Sequence, residues 1–200
     1  ADAEASLKEA LQFYRELADP VGQANSLVFL GCVYIDKEAY AQATEALLSA
    51  GRRYAVFGDR RGEAGALAYL GVAQTMTGDH AQADENLTRA LRLFREVRDK
   101  GGEAETLNHH AALAAAHGSL EQARGRYGEA LALAVEIGSV KDEADVLNGL
   151  GAICRSEGRT GEARDYFRQA LARYEDCGGR ADAARVRAKL MQLDEECGPG

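Results

Sequence analysis

Four histidines and four cysteines are the side chains in this 200-residue sequence with the types to do metal or redox chemistry. His109, His110 and His117 cluster in the chain. Zinc is bound through imidazole nitrogens about 2 Å away, so ligands on one helix must sit about one turn apart. His110 and His117 share a helix face but are separated by about 10 Å at 1.5 Å rise per residue, too far for one ion. No HExxH occurs. The spacing therefore predicts no metal and no cofactor. Cys32, Cys154, Cys177 and Cys197 form no CxxC pair and no disulfide framework, which fits a reducing, cytoplasmic setting. Cys32 and Cys154 read as small packing residues, Cys177 and Cys197 as accessible ones near helix ends. There is no GxxxxGK[ST], no GxGxxG after a strand and no GxSxG, so nothing points to an enzyme. Carboxylate pairs such as Asp84-Glu85 or Asp194 and Glu196 read as solvated surface.

The elements that would hold these residues are helical. The chain has two prolines and no Trp, and it is rich in Ala, Leu, Glu and Arg, the strong helix formers. The 24 basic and 32 acidic residues leave a formal charge of −8, which argues against general nucleic-acid binding. The basic doublets Arg52-Arg53 and Arg60-Arg61 have Glu45, Asp59 and Glu63 nearby and read as a salt-bridged surface. No run of about 18 uncharged apolar residues exists to span a membrane.

A ruler of 40 residues runs through the sequence. One column reads Ala10, Ala50, Ala90, Ala130 and Ala170. A second reads Ala43, Ala83, Ala123 and Ala163, followed four residues on by Leu47, Leu87, Tyr127 and Phe167. A third reads Ala24, Ala64, Ala104, Ala144 and Ala184. Leu30-Gly31 returns as Leu70-Gly71 and Leu150-Gly151, with His110-Ala111 in the third unit. His110 thus replaces a core leucine, and the register predicts a partly buried, hydrogen-bonded imidazole; if it is buried and neutral, its protonation would loosen that unit at acid pH. Each unit holds two stretches of helical period. Gly78, Gly118 and Gly158 close the first helix of their units, and Gly58, Gly138 and Gly178 the second, where left-handed backbone is needed. Asp19, Asp59, Asp99 and Ser139 are a column of N-cap types. The pattern predicts helices at 2–18, 20–36, 40–57, 60–77, 80–97, 100–117, 120–137, 140–157, 160–177 and 180–196. One helix pair cannot bury its apolar stripe alone; stacking of antiparallel pairs does so.

These columns resemble the tetratricopeptide repeat, whose motif runs W-x2-L-G-x2-Y and then A-x3-F. Leu27-x2-Leu30-Gly31-x2-Tyr34 followed by Ala43-x3-Leu47 matches it, as does Leu147-x2-Leu150-Gly151-x2-Cys154 followed by Ala163-x3-Phe167. The departures are a 40-residue period in place of 34 and no closing Pro, whose column holds Ala55, Arg95, Val135 and Glu175. The longer variant is similar to the arrays of spindle-orientation adaptors and of bacterial signal-transduction ATPases and antibiotic regulators. The resemblance implies an all-α, right-handed superhelical solenoid of about ten helices forming a single domain. Its units would be 1–19 (a second helix alone), 20–59, 60–99, 100–139 and 140–179, then a capping helix 180–196 and a tail 197–200. Gly31, Gly71 and Gly151 would let backbones approach closely, with Ala43, Ala83 and Ala163 facing them. A chain that starts in second-helix register without a Met reads as a piece of a longer protein.

In such arrays first helices line a concave groove, and the resemblance implies ligand contacts along it. In successive units these are Asn25, Val28, Cys32 and Ile35; Ala68, Val72, Thr75 and Met76; Glu105, Asn108 and Ala112; and Asp145, Asn148, Ala152 and Arg155. Asn108 and Asn148 occupy the same position in adjacent units, as a polar ladder for a peptide backbone or as ordinary exposed polar residues. Ala68, Val72 and Ala112 could accept bulky partner side chains or could be simple helix formers. A terminal-carboxylate ligand is disfavoured because Arg155 is the one basic residue among these positions. The function implied is a non-catalytic protein-interaction module binding a peptide, a helix or a neighbouring domain. It would serve as the scaffold or sensor array of a larger bacterial regulatory protein, as a monomer or with weak self-association. Alternatives are a peptide- or small-molecule-sensing domain of a transcriptional regulator, and a self-assembly module.

Overall fold

A computed structural model describes residues 3–197, with side chains through residue 195. Cys197 and Glu196, the first two residues and the end of the tail therefore lie outside the described side chains. Ten helices follow one another: α1 (Ala3–Glu16), α2 (Pro20–Asp36), α3 (Tyr40–Phe57), α4 (Arg60–Thr77), α5 (His80–Glu96), α6 (Lys100–Ala116), α7 (Leu120–Ile137), α8 (Val140–Ser156), α9 (Thr160–Asp176) and α10 (Arg180–Cys197). No strand occurs among the described residues. The fold is all-α, a tetratricopeptide-like succession of antiparallel helix pairs joined by turns of two or three residues. It divides into two compact units, Ala1–Gly102 and Glu103–Gly200.

Local chemistry sets the helix ends. Asp19 accepts from the Val21 and Gly22 amides at 3.0 Å, Asp59 from Gly62 at 2.9 Å, Asp99 from Gly102 at 3.0 Å and Ser139 from Asp142 at 3.4 Å. Each satisfies an N–H that has no partner inside its helix. Asp79 does the same for α5, a cap that the 40-residue column does not contain. The closing glycines have φ between 67° and 81°. Ala18, Glu38 and Arg98 stand in the same columns with φ of 51°, 58° and 57°, so the turn dictates the backbone even where glycine is missing.

The alanine columns are the helix contacts: Ala24, Ala64, Ala43, Ala83, Ala50 and Ala90 in the first unit are 1 % exposed or less, as are Ala104, Ala144, Ala123, Ala163, Ala130 and Ala170 in the second. The close approach at the glycines has a different partner from the expected alanines. A Cβ on Gly31 would lie 2.6 Å from Leu47, one on Gly71 2.6 Å from Leu87, and one on Gly151 2.8 Å from Phe167. The glycine is a socket for the large side chain four residues beyond the alanine, so it serves side-chain packing more than backbone contact. A second set of sockets pairs Gly22 with Tyr14, Gly62 with Tyr54 and Gly102 with Phe94. Where the aromatic column turns to Ala134, the glycine column turns to Asp142.

The last helix keeps a different register from the one expected. Ala184 is exposed, whereas Ala183, Val186 and Leu193 are buried to 2 % or less. Arg187 falls where the other first helices carry a core leucine. Burying that guanidinium would cost more than turning the helix by about one residue, roughly 100°.

Candidate peptide-binding faces

In the first unit the assigned positions on α2 split by depth. Val28 and Ile35 are half-buried against the α1–α4 core, and Cys32 is half-buried. Asn25 is exposed, but its Oδ1 accepts from the Tyr54 hydroxyl on α3. On α4, Thr75 turns its hydroxyl back to the Gly71 carbonyl at 2.8 Å. Met76 is exposed and Val72 half-exposed. Ala68 is 3 % exposed, within the cluster of Leu67, Leu93 and Phe94, so it is a packing residue and not open to a ligand.

In the second unit the same positions are more polar and more open. Glu105 Oε1 lies 3.8 Å from His109 Nε2. Asn108 is half-buried and Ala112 exposed. On α8, Ala152 and Arg155 are exposed and Asn148 half-buried. Asp145 accepts from the Tyr174 hydroxyl and from Lys141 Nζ at 2.7 Å. Burial and that carboxylate hold the Tyr174 hydroxyl protonated, well above the usual phenol range. Tyr54 to Asn25 and Tyr174 to Asp145 are one device used twice: a second-helix tyrosine tethers the first residue of the assigned set.

The residue that sequence reasoning missed is Lys189 on α10. Its Nζ donates to Asn148 Oδ1 at 2.8 Å and sits 5.4 Å from the Phe167 ring centre. Arg155 reaches the same helix, donating to Gln192 Oε1 at 3.3 Å. Burial, and then the neighbouring Arg155 and Arg185, push the Lys189 amine below its ordinary value. Neither Lys189 nor Arg155 meets a carboxylate among the described residues. Arg155 remains the one basic residue among the assigned positions, and Lys189, outside them, joins it and the Asn148 amide on this face. The available signal was slight, a lysine 41 residues beyond Asn148 on a helix whose register had shifted.

Other candidates resolve into structure. His110 is 4 % exposed, deeper than the partial burial expected of it. No group of three His, Cys, Asp or Glu among the described residues is placed to hold a metal ion. Cys154 is buried and Cys177 exposed, as their positions imply. Arg61 pairs with Asp99 at 2.6 Å and Arg60 with Glu63 at 3.5 Å, the salt-bridged surface expected of this doublet, whereas Arg52 makes no ion pair among the described residues. No described helix is long and apolar enough to cross a membrane.

Against this geometry the comparisons are informative about fold. The tetratricopeptide repeat family model matches residues 102–176. Over this stretch the sequence is similar to the tetratricopeptide repeat. The structure of BtubC from P. vanneervenii superposes with a TM-score of 0.68 at 18 % identity, covering 98 % of this chain and 92 % of that one. A Rap protein complexed with competence and sporulation factor gives 0.67 at 15 %, covering 96 % and 58 %. Aspartyl phosphate phosphatase F from Bacillus subtilis gives 0.65 at 13 %, covering 95 % and 54 %. The chain thus spans little more than half of the latter two structures. No curated protein matches the sequence significantly. At these identities the tetratricopeptide-like fold is what is shared.

Proposed function

We propose that this tetratricopeptide-type chain is a non-catalytic interaction module that binds an acidic peptide segment on the α8–α10 face. The observation that carries the reading is the convergence of Lys189, Arg155 and Asn148 on that face, with neither cation bonded to a carboxylate among the described residues. In a protein of net charge −8, an unanswered pair of cations is a local exception. An incoming carboxylate would take charge-assisted bonds from both, and the Asn148 amide N–H2 is a further donor. Asn108, at the equivalent position on α6, extends the same polar chemistry along the unit. Small exposed Ala112 and Ala152 leave room for the backbone of the bound segment. The wider role that fits is a scaffold or sensor array within a larger bacterial regulatory protein. It is supported by the likeness to a Rap protein complexed with competence and sporulation factor, of which the chain covers 58 %. The wide spacing of the cysteines favours a cytoplasmic setting.

Selection of a random peptide display library on the immobilised chain tests this. Acidic sequences should enrich on the wild type and fail to enrich on Lys189→Glu and on Asn108→Ala/Asn148→Ala variants whose circular dichroism is unchanged. Enrichment of neutral or basic sequences, or enrichment indifferent to both variants, would overturn the reading.

A further inference from the structure

The first unit holds a recess of about 250 Å³ between the second helices α3 and α5, with α4 as its floor. Its walls are aliphatic: Leu47, Leu48, Ala55, Ala66, Leu67 and Leu70. On α4 the floor residues Glu63, Ala66, Leu67 and Leu70 occupy one stripe at about 100° per residue, and Val72, Thr75 and Met76 point the opposite way. The recess is therefore on the other side of α4 from the assigned ligand positions. It needs an occupant of its own.

The charge around it is organised. Glu63 is 3 % exposed yet fully answered, by Arg89 from α5 and by Arg60 at 3.5 Å. That leaves Arg52 at the recess, exposed and without a hydrogen bond or ion pair among the described residues. Two guanidinium groups, Arg52 and Arg89, against the one carboxylate of Glu63 leave the recess lining net positive over an apolar floor. The related recess one repeat earlier, over α2, has a different character. It is larger, about 500 Å³, and lined by Lys8, Arg15, Gln42 and Glu45 with Leu11, Leu27 and Leu30. Gln23 and Ser49 stand there in place of Glu63 and Arg89, so the buried ion pair belongs to the α3–α5 recess alone of these two.

We infer that the α3–α5 recess is a ligand site for a short branched aliphatic carboxylate, its alkyl end on Leu67 and Leu70 and its carboxylate on Arg52. The volume falls below the roughly 300–1,000 Å³ of sites for drug-sized molecules, which limits the occupant to a few carbons beyond the carboxylate. The Glu63–Arg89 pair fixes the inner guanidinium in place and keeps a second cationic ligand out. The site is independent of the α8–α10 face and stands or falls separately from it.

The probe is 4-methylpentanoate, titrated into methyl-labelled protein and followed by the leucine methyl resonances. Leu48, Leu67 and Leu70 should shift and saturate. Arg52→Glu should weaken binding at least about tenfold, equivalent to 1.4 kcal/mol. Gly51→Leu should abolish it by filling the recess; a Cβ at Gly51 meets Ala66 at an ordinary 3.7 Å, so the new side chain fits without displacing the helices. The cationic analogue 4-methylpentan-1-amine should not bind. Absence of saturable shifts up to the solubility of the probe would overturn the proposal, as would equal binding of the amine or a Kd unchanged in Arg52→Glu.

Discussion

The Lys189 ammonium donates to Asn148 Oδ1 across 2.8 Å, joining α10 to α8 through a cation rather than through the apolar column used elsewhere. The lysine ammonium also lies over the ring of Phe167, which fills the Gly151 socket. The charge itself is disfavoured in the folded state by burial and then by Arg155 and Arg185, so the amine sits below its ordinary 10.5. A base with a depressed folded pKa costs stability wherever it is protonated, and that cost fades as pH rises toward the unfolded value. Lys189→Met keeps the packing on Phe167 and removes the charge. It should stabilise the second unit by about 0.5–1 kcal/mol at neutral pH. The gain over wild type should shrink as pH approaches 10.5. Urea denaturation of both proteins from pH 7 to 10.5 checks this; a constant difference would refute it.

The exceptions in the glycine columns give a second prediction. Glu38 and Arg98 hold φ of 58° and 57° at positions where the other turns use glycine. Left-handed backbone costs an L-residue about 1–2 kcal/mol, because its Cβ crowds the following carbonyl. Neither side chain makes an ion pair or hydrogen bond among the described residues that would be lost. Glu38→Gly and Arg98→Gly should therefore each stabilise the first unit, by about 1 kcal/mol after the added entropy of the unfolded glycine is subtracted. Gly58→Ala, at φ 72°, should move the urea midpoint the other way.

Much of this architecture was legible because a repeat states each rule several times. The alanine columns and the caps at Asp19, Asp59, Asp99 and Ser139 fix helix ends to within a residue or two. What stayed hidden is what depends on side-chain reach. Nothing in a spacing shows that Tyr54 extends to Asn25 or Tyr174 to Asp145, since each pair lies 29 residues apart on different helices. Ala68 read as groove because position was the guide, and depth, set by Leu93 and Phe94 on the next helix, is a tertiary fact. The turn in α10 followed from one arginine in a leucine column, a cue visible in Arg187. Its consequence, the placing of Lys189 on Asn148, needed coordinates.

Glu4 anchors the first helix through electrostatics. Its two oxygens accept from Lys8 Nζ at 2.7 Å and from Lys37 Nζ at 2.6 Å, and Lys37 is the residue that ends α2. The Lys37 hydrogen bond and then the Lys8 one hold the carboxyl down at about 2, against an ordinary 4.5. A carboxylate with a depressed folded pKa contributes stability that is complete above 4.5 and is lost as pH falls through about 2. The group is solvent-accessible, so the effect is screened by salt and is confined to the docking of α1. Glu4→Gln should speed amide hydrogen exchange in α1 relative to wild type at neutral pH and low salt, with the rest of the first unit unchanged. The ratio of exchange rates should fall toward one between pH 4.5 and 2, and also on adding salt at neutral pH. A ratio that ignores both pH and salt would mean that α1 is held by the packing of Leu7 and Leu11 alone.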